Sequence, residues 1–282
     1  MGTLDVATDN AITNIVTVHF TYVTPTTAKG NANATYEVLK GIIDGKYKTV
    51  MGAGKENAHK VRIDSTIGLN EWYSDRNGTN ELVSTKRNEG GFVHITDSLN
   101  VSENDRNTFK ADMVITNVTR YEENTEKGIP EHVVLKGCIF DYKRDSDPLP
   151  HALLPIEFTV NHPGAMNYFE SLDASSTNPV FTWVSGIQVS QTINRTIVEE
   201  SAWGEEHVRT VSSSKRDWVV TNSPKETYVF GEDITPAELT KLMQDRETYL
   251  ATIKTRQEEY KASKNAAPAS AAPKASTGGF NF

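Results

Sequence analysis

From Ile12 to Thr221, segment after segment of this chain alternates apolar and polar residues. That period of two confines the chain to strands with one buried face. Ile12 to Tyr22 reads Ile-Thr-Asn-Ile-Val-Thr-Val-His-Phe-Thr-Tyr, and Pro25 with Gly30-Asn31-Ala32-Asn33 breaks it. Thr35 to Ile43 predicts a second strand, with Gly41 marking a bulge. Lys60 to Gly68 alternates again and Leu69 to Tyr73 extends it to Asp75-Arg76-Asn77-Gly78. This is the best hairpin signal in the chain, because Asn-Gly tolerates positive φ. Leu82 to Arg87 and Gly91 to Ile95 follow around a Gly90-Gly91 kink, and Phe109 to Tyr121 closes the first block.

The charged, breaker-rich stretch from Glu122 to Pro130 marks a domain boundary. A second series begins with His132 to Tyr142 and Leu154 to Val160. Met166, Phe169 and Leu172 at helical spacing predict a short helix, and Phe181 to Ile193, Val208 to Ser212 and Arg216 to Thr221 are further strands. Both blocks open alike, with Val38-Leu39-Lys40-Gly41-Ile42-Ile43 in one and Val134-Leu135-Lys136-Gly137-Cys138-Ile139 in the other. The shared core suggests one architecture used twice, since an internal Gly lets a barrel strand bend.

Helix dominates only at the end. Thr235 is an N-cap, Pro236 takes the first helical position and Glu238 closes a capping box. The expected fold is mainly β, with tandem OB-like Greek-key barrels: an N-terminal strand and first OB-like domain over 1–125, a second over 131–233, a helix over 235–262, and a tail over 263–282. The tail is rich in Ala, Pro, Ser and Lys and buries too little apolar surface to offset its ordering entropy, so disorder is expected. It ends on Gly278-Gly279-Phe280-Asn281-Phe282, two rings on a tether, and Phe280 and Phe282 are the candidate partner-binding residues.

Charge narrows the function. The chain carries 29 Lys and Arg against 37 Asp and Glu, a net of -8, which opposes coating of nucleic acid by bulk electrostatics. The charge is unevenly spread: from Lys40 to Arg62 six basic residues face two acidic ones, whereas from Glu131 to Thr235 eight face fifteen. The single Cys138 permits no internal disulfide, and no secretory leader or long apolar run is present, so a reducing, cytoplasmic setting is expected. Seven scattered His give no metal-ligand spacing, and phosphate-loop, dinucleotide and nucleophile-elbow motifs are absent. Neither an enzyme nor a cofactor is expected.

The first block holds what a single strand of nucleic acid requires, cations that track phosphates and rings on which bases stack. Lys46, Lys48, Lys55, Lys60 and Arg62 lie around the Met51-Gly52-Ala53-Gly54 loop, while Arg76, Lys86 and Arg87 flank the hairpin. Tyr73 and Phe92 supply rings. Trp72 and Tyr73 must point to opposite faces of a strand, and the reading puts Trp72 inward and Tyr73 toward a ligand. In the second block Trp183 and Tyr168 read as core, and Trp203 among Glu199, Glu200, Glu205 and Glu206 reads as a protein contact.

Three pieces resemble the single-stranded DNA-binding proteins encoded by phages and mobile elements of Gram-positive bacteria, which are built on OB-folds. One is Trp72-Tyr73-Ser74-Asp75-Arg76-Asn77-Gly78 leading to Glu81-Leu82-Val83-Ser84 and Glu89-Gly90-Gly91-Phe92-Val93. The second is Leu154 to Gln191, where Tyr168-Phe169 precedes Phe181-Thr182-Trp183-Val184-Ser185-Gly186-Ile187. The third is the tail ending in Phe282, similar to the partner-docking tip of bacterial single-stranded DNA-binding proteins. The familiar tip is acidic before its last Phe, whereas here Lys274 is the nearest charge. The resemblance implies a non-enzymatic, sequence-independent binder of single-stranded DNA in phage or plasmid replication or recombination. Its tail would recruit replication or recombination proteins. The alternative is a structural or scaffold protein of a virion or replisome, whose β domains serve protein contacts.

Overall fold

The structure is a computed structural model that describes residues 2–76, 79–99, 101–124, 129–140, 153–200, 203–204, 206–229 and 235–266. In chain order the elements are β1 (Gly2–Ala7), β2 (Ile15–Phe20), α1 (Ala34–Ile43), α2 (Val50–Ala53), β3 (Lys60–Arg76), β4 (Thr79–Thr96) and β5 (Thr108–Tyr121). Then come β6 (His132–Phe140), β7 (Leu153–Val160), α3 (Pro163–Ser171), β8 (Val180–Glu200), β9 (Glu206–Asn222) and α4 (Pro236–Ala266).

Alternation in the second half produces a closed barrel of order β5-β6-β7-β9-β8, with β8 pairing back onto β5. Numbered within the barrel, the order is 1-2-3-5-4, the third strand runs parallel to the fifth, and α3 lies between the third and fourth. That is the Greek-key arrangement of an OB-fold. Leu135, Ile139, Ile156, Phe158, Val184 and Val220 point inward, α3 adds Met166 and Phe169, and Leu69 of β3 joins the same core. Gly137 and Gly186 allow the tight approach of neighbouring strands: a Cβ at either would collide with a backbone carbonyl, Val114 O or Val219 O.

The first half does not close. Its strands form an open four-stranded sheet of order β1-β2-β4-β3, with β2 parallel to β4, so the described residues hold one barrel where two were expected. The strand expected at the end of the first block, β5, belongs to the barrel, which moves the structural boundary ahead of Thr108.

The segment expected as a strand at Thr35 to Ile43 is the helix α1. The Asn33 side chain caps it by accepting from Thr35 N–H at 3.1 Å. Val38 and Leu39 pack against Val18, Phe20 and Val93 of the sheet. Gly41 serves helix packing rather than a bulge, since a Cβ there would meet the Tyr47 ring. The repeated Val-Leu-Lys-Gly core is therefore helix in one copy and strand in the other. Leu82 to Arg87 and Gly91 to Ile95 form one strand, β4, and the expected kink is a bulge where Ser65 opposes Gly90-Gly91. Val208 to Ser212 and Arg216 to Thr221 likewise merge into β9.

Sheet and barrel are joined by a side-chain amide network. Asn88, buried on β4, exchanges two 2.8 Å hydrogen bonds with the Gln188 side chain of β8. The Gln188 carbonyl accepts from the amides of Asn14 and Asn107, and Asn14 Oδ1 accepts from Ser190 N–H at 2.5 Å.

The terminal helix α4 opens with the expected capping box: Glu238 N–H donates to Thr235 Oγ1 at 3.2 Å and Thr235 N–H donates to Glu238 Oε2 at 2.8 Å. Leu239 packs by Phe181, Val114, Phe140 and Tyr228. Further along, Arg246 makes a bidentate pair with Glu71 of β3, with the Nη1 to Oε2 distance at 2.6 Å. Among the described residues no helix is long and apolar enough to cross a membrane. The helix continues to Ala266, four residues into the expected tail, and the rest of the tail, with Phe280 and Phe282, lies outside the described residues.

Candidate nucleic-acid interface

The two faces of the β3–β4 hairpin have different fates. Val61, Ile63, Val93 and Ile95 face one way, where Val93 is fully buried and Ile63 packs with it by Val18 and Phe20. Lys60, Arg62 and Asp64 face the other, opposite Thr96, His94 and Phe92 in register. On this second face Lys60, Arg62, Asp64 and His94 are exposed, and Phe92 has 68% of its surface open to solvent. Phe92 lies beside His94 with ring centroids 6.5 Å apart and planes inclined by 26°. Arg62 donates to Asp64 Oδ1 at 3.2 Å, an exposed pair that leaves most of the guanidinium open.

The lysines after α1 are tied to the same end of the hairpin. Lys48 N–H donates to His59 Nδ1 at 2.9 Å and His59 N–H returns to Lys48 O at 2.9 Å, directly before Lys60. That bond leaves the proton of a neutral His59 ring on Nε2. Tyr47 meets the His59 ring edge-on at 5.4 Å, and Lys46 Nζ sits 5.2 Å from the centre of the Tyr47 ring, a cation–π contact. Lys55 is exposed on a single 3₁₀ turn between α2 and β3. Five of the sequence candidates, Lys46, Lys48, Lys60, Arg62 and Phe92, are thus brought to one end of the sheet. Four side-chain cations and an open aromatic ring there can hold phosphates and stack a base.

The remaining candidates sit elsewhere. Lys86 points to the barrel, where its ammonium donates to Glu157 O at 2.7 Å. Burial of that ammonium lowers its pKa, against the opposing pull of Asp217 and Glu157. Arg87 pairs with Glu89 at 2.5 Å and donates to Asn70 Oδ1 at 3.2 Å. Lys86 and Arg87 line a cleft between sheet and barrel together with His19, Arg216, Asp217 and Trp218. Arg76 ends β3 opposite Thr79, and its side chain lies outside those described.

The assignment of Tyr73 is reversed. The bulge keeps Leu69, Glu71 and Tyr73 on the side that packs against the barrel and α4, so Tyr73 is half-buried, while Trp72 on the opposite side is 38% exposed. Trp183 is likewise an outward residue of β8, with Lys110 Nζ 4.6 Å above its ring. Trp203 is 84% exposed. Sequence reasoning missed His94, although its alternation with Phe92 in a strand already placed it beside that ring.

Cys138 lies half-buried on β6, and burial raises its thiol pKa, with Arg246 acting the other way. Among the described residues no group of three or more His, Cys, Asp or Glu is placed to hold a metal ion.

Residues 2–263 match the protein family described as YorF. The chain belongs to the YorF family. No curated protein matches it. The matched span takes in the whole sheet, the barrel and nearly all of α4.

Proposed function

We propose that this protein binds single-stranded DNA without sequence preference and without catalysis, in the replication or recombination of phage or plasmid DNA. The observation that carries the reading is the solvent-facing end of β3 and β4, where the open Phe92 ring stands opposite Asp64 and diagonal to Arg62, Lys60 follows further along the same face, and Lys46 and Lys48 extend the positive charge. An exposed ring beside cations suits stacking of an unpaired base, which a duplex does not offer. The OB-type barrel acts as the scaffold that holds this sheet, through Leu69 and the Asn88–Gln188 amide pair. Phe280 and Phe282 would recruit replication or recombination proteins.

Fluorescence anisotropy of labelled oligo-dT tests the reading. Phe92→Ala removes one stacking platform, worth about 1–3 kcal/mol, which is a loss of about 5- to 140-fold in affinity. Thermal stability should stay unchanged, because the ring covers no core. Equal affinity of wild type and variant would remove Phe92 from the interface.

The scaffold reading keeps one observation of its own. Val198 and Val208 sit opposite each other on the β8–β9 hairpin, both exposed, and Trp203 between the two strands in sequence is exposed as well. Absence of oligo-dT binding at low salt would favour that reading.

A further inference from the structure

The four-stranded sheet has two edges, and the fold treats them differently. At the β3 edge α4 takes the place of a neighbouring strand: Tyr73 N–H donates to Gln257 Oε1 at 2.9 Å, and Gln257 Nε2 donates back to Tyr73 O. At the other edge lies β1, and among the described residues β1 pairs with β2 alone. Natural sheets blunt a free edge with Lys, Pro, a bulge or a covering element. The sequence Gly2-Thr3-Leu4-Asp5-Val6-Ala7 contains no Lys or Pro, and its register with β2 runs without a bulge.

The hydrogen-bonding phase of β1 defines what that edge offers. Thr8 N–H donates to Asn14 O at 3.0 Å, next to the pair Ala7–Ile15. Hydrogen-bonded pairs recur at every second residue of an antiparallel ladder, so Val6, Leu4 and Gly2 turn their backbone groups to β2. Thr3, Asp5 and Ala7 therefore turn theirs to the open side.

We infer that β1 pairs with β1 of a second copy of this chain, antiparallel and about a two-fold axis at Leu4. Three registers bring two or more pairs of outward backbone groups of the strands together. Centring on Asp5 sets two carboxylates directly opposite each other, which is unfavourable. Centring on Val6 pairs Asp5 with Ala7 of the other copy and leaves Thr3 beyond the end of the strand. Centring on Leu4 leaves Ala7 beyond the pairing but pairs Thr3 with Asp5 of the other copy, twice by symmetry, so that the Thr3 hydroxyl can donate to the Asp5 carboxylate, which Ala7 cannot. The same chemistry already exists inside the sheet, where Thr17 Oγ1 donates to Asp5 Oδ1 at 2.6 Å across the β1–β2 pair. Leu4, which packs on the core beneath the sheet, would meet Leu4 of the other copy there. Such an isologous contact closes after two subunits.

The two-fold axis stands perpendicular to the joined sheet, so the solvent-facing sides of both copies share one face. The two β3 strands would lie seven strand spacings apart, about 34 Å at ~4.8 Å each. On the reading that this face binds DNA, the dimer offers two platforms to one strand.

Light scattering on the full chain, without DNA, should give twice the monomer mass. Thr3→Pro removes an outward N–H at an edge position that tolerates proline, and should yield monomers with an unchanged circular dichroism spectrum. In a Cys138→Ser background, Leu4→Cys should form a disulfide-linked dimer on mild oxidation, because cross-strand Cα atoms in a non-hydrogen-bonded pair lie about 4.5 Å apart. Asp5→Cys in the same background should not. A monomeric wild type, a Thr3→Pro dimer, or cross-linking through Asp5→Cys instead of Leu4→Cys would overturn the inference. None of these readouts depends on DNA binding, so the two proposals fail separately.

Discussion

Replacing Arg246 by Ala should cost this fold far more than any exposed arginine would. The Glu71 side chain is 0% exposed and that of Arg246 11%, and the two meet through the two terminal guanidinium nitrogens, Nη1 and Nη2. Truncating the arginine strands a carboxylate between β3 and α4 with its charge partner gone, for which about 3–5 kcal/mol is typical. For a domain of this size each kcal/mol shifts the melting midpoint by about 2–4 °C, so a loss of about 6–20 °C is expected. Far-ultraviolet circular dichroism with heating reads it directly. Glu71→Met combined with Arg246→Met removes both charges and keeps comparable volume, and should recover most of the loss. If Arg246→Ala shifts stability by no more than about 0.5 kcal/mol, as an ordinary surface substitution does, the docking of α4 on the β3 edge is refuted.

Two other perturbations probe the joints of the fold. Thr235→Ala removes the N-cap acceptor of α4 and should cost about 1 kcal/mol in a urea titration. The Thr235 backbone N–H, followed by its hydroxyl, holds the Glu238 carboxyl below its usual range. A depressed carboxyl contributes stability at neutral pH that is lost as pH falls through its folded pKa. The penalty of Glu238→Gln should therefore be present at pH 7 and vanish in acid, and a penalty that grows in acid would contradict the capping box. Gln188→Leu leaves the buried Asn88 Oδ1 without its donor, while Asn88 Nδ2 keeps its bond to Thr17 O, and should cost about 1–3 kcal/mol, measured by urea unfolding. An unchanged midpoint would mean that the amide pair does not weld sheet to barrel.

The alternating segments that became β2 and β5 to β9 were legible because one face of each is buried, and period two is what such burial writes into a sequence. Thr35 to Ile43 misled for a physical reason. Its β-branched and aromatic residues suit a strand, yet the outcome is decided by a cap at Asn33 and by the fit of the Tyr47 ring over Gly41, neither of which periodicity encodes. β1 went unread because six residues beginning with Gly carry too little pattern, although Leu4 and Val6 do alternate. Whether the first block would close was also hidden, since closure depends on which strand neighbours β2, and the parallel β2–β4 pair joins residues about seventy positions apart. For the candidate site, the common face of Lys60 and Arg62 was recoverable from alternation. The sides taken by Trp72 and Tyr73 were not, because they are fixed by packing of Leu69 and Glu71 on the barrel and α4.

The most direct test of the proposed interface is the salt dependence of oligo-dT binding for the wild type and for a variant carrying Lys60→Ala and Arg62→Ala. Each phosphate contact on a single strand contributes about 0.7 to the slope of log K against log salt. The account predicts weaker binding at low salt and a slope shallower by about 1.4 for the two lost cations. Equal affinity and equal slope would contradict it.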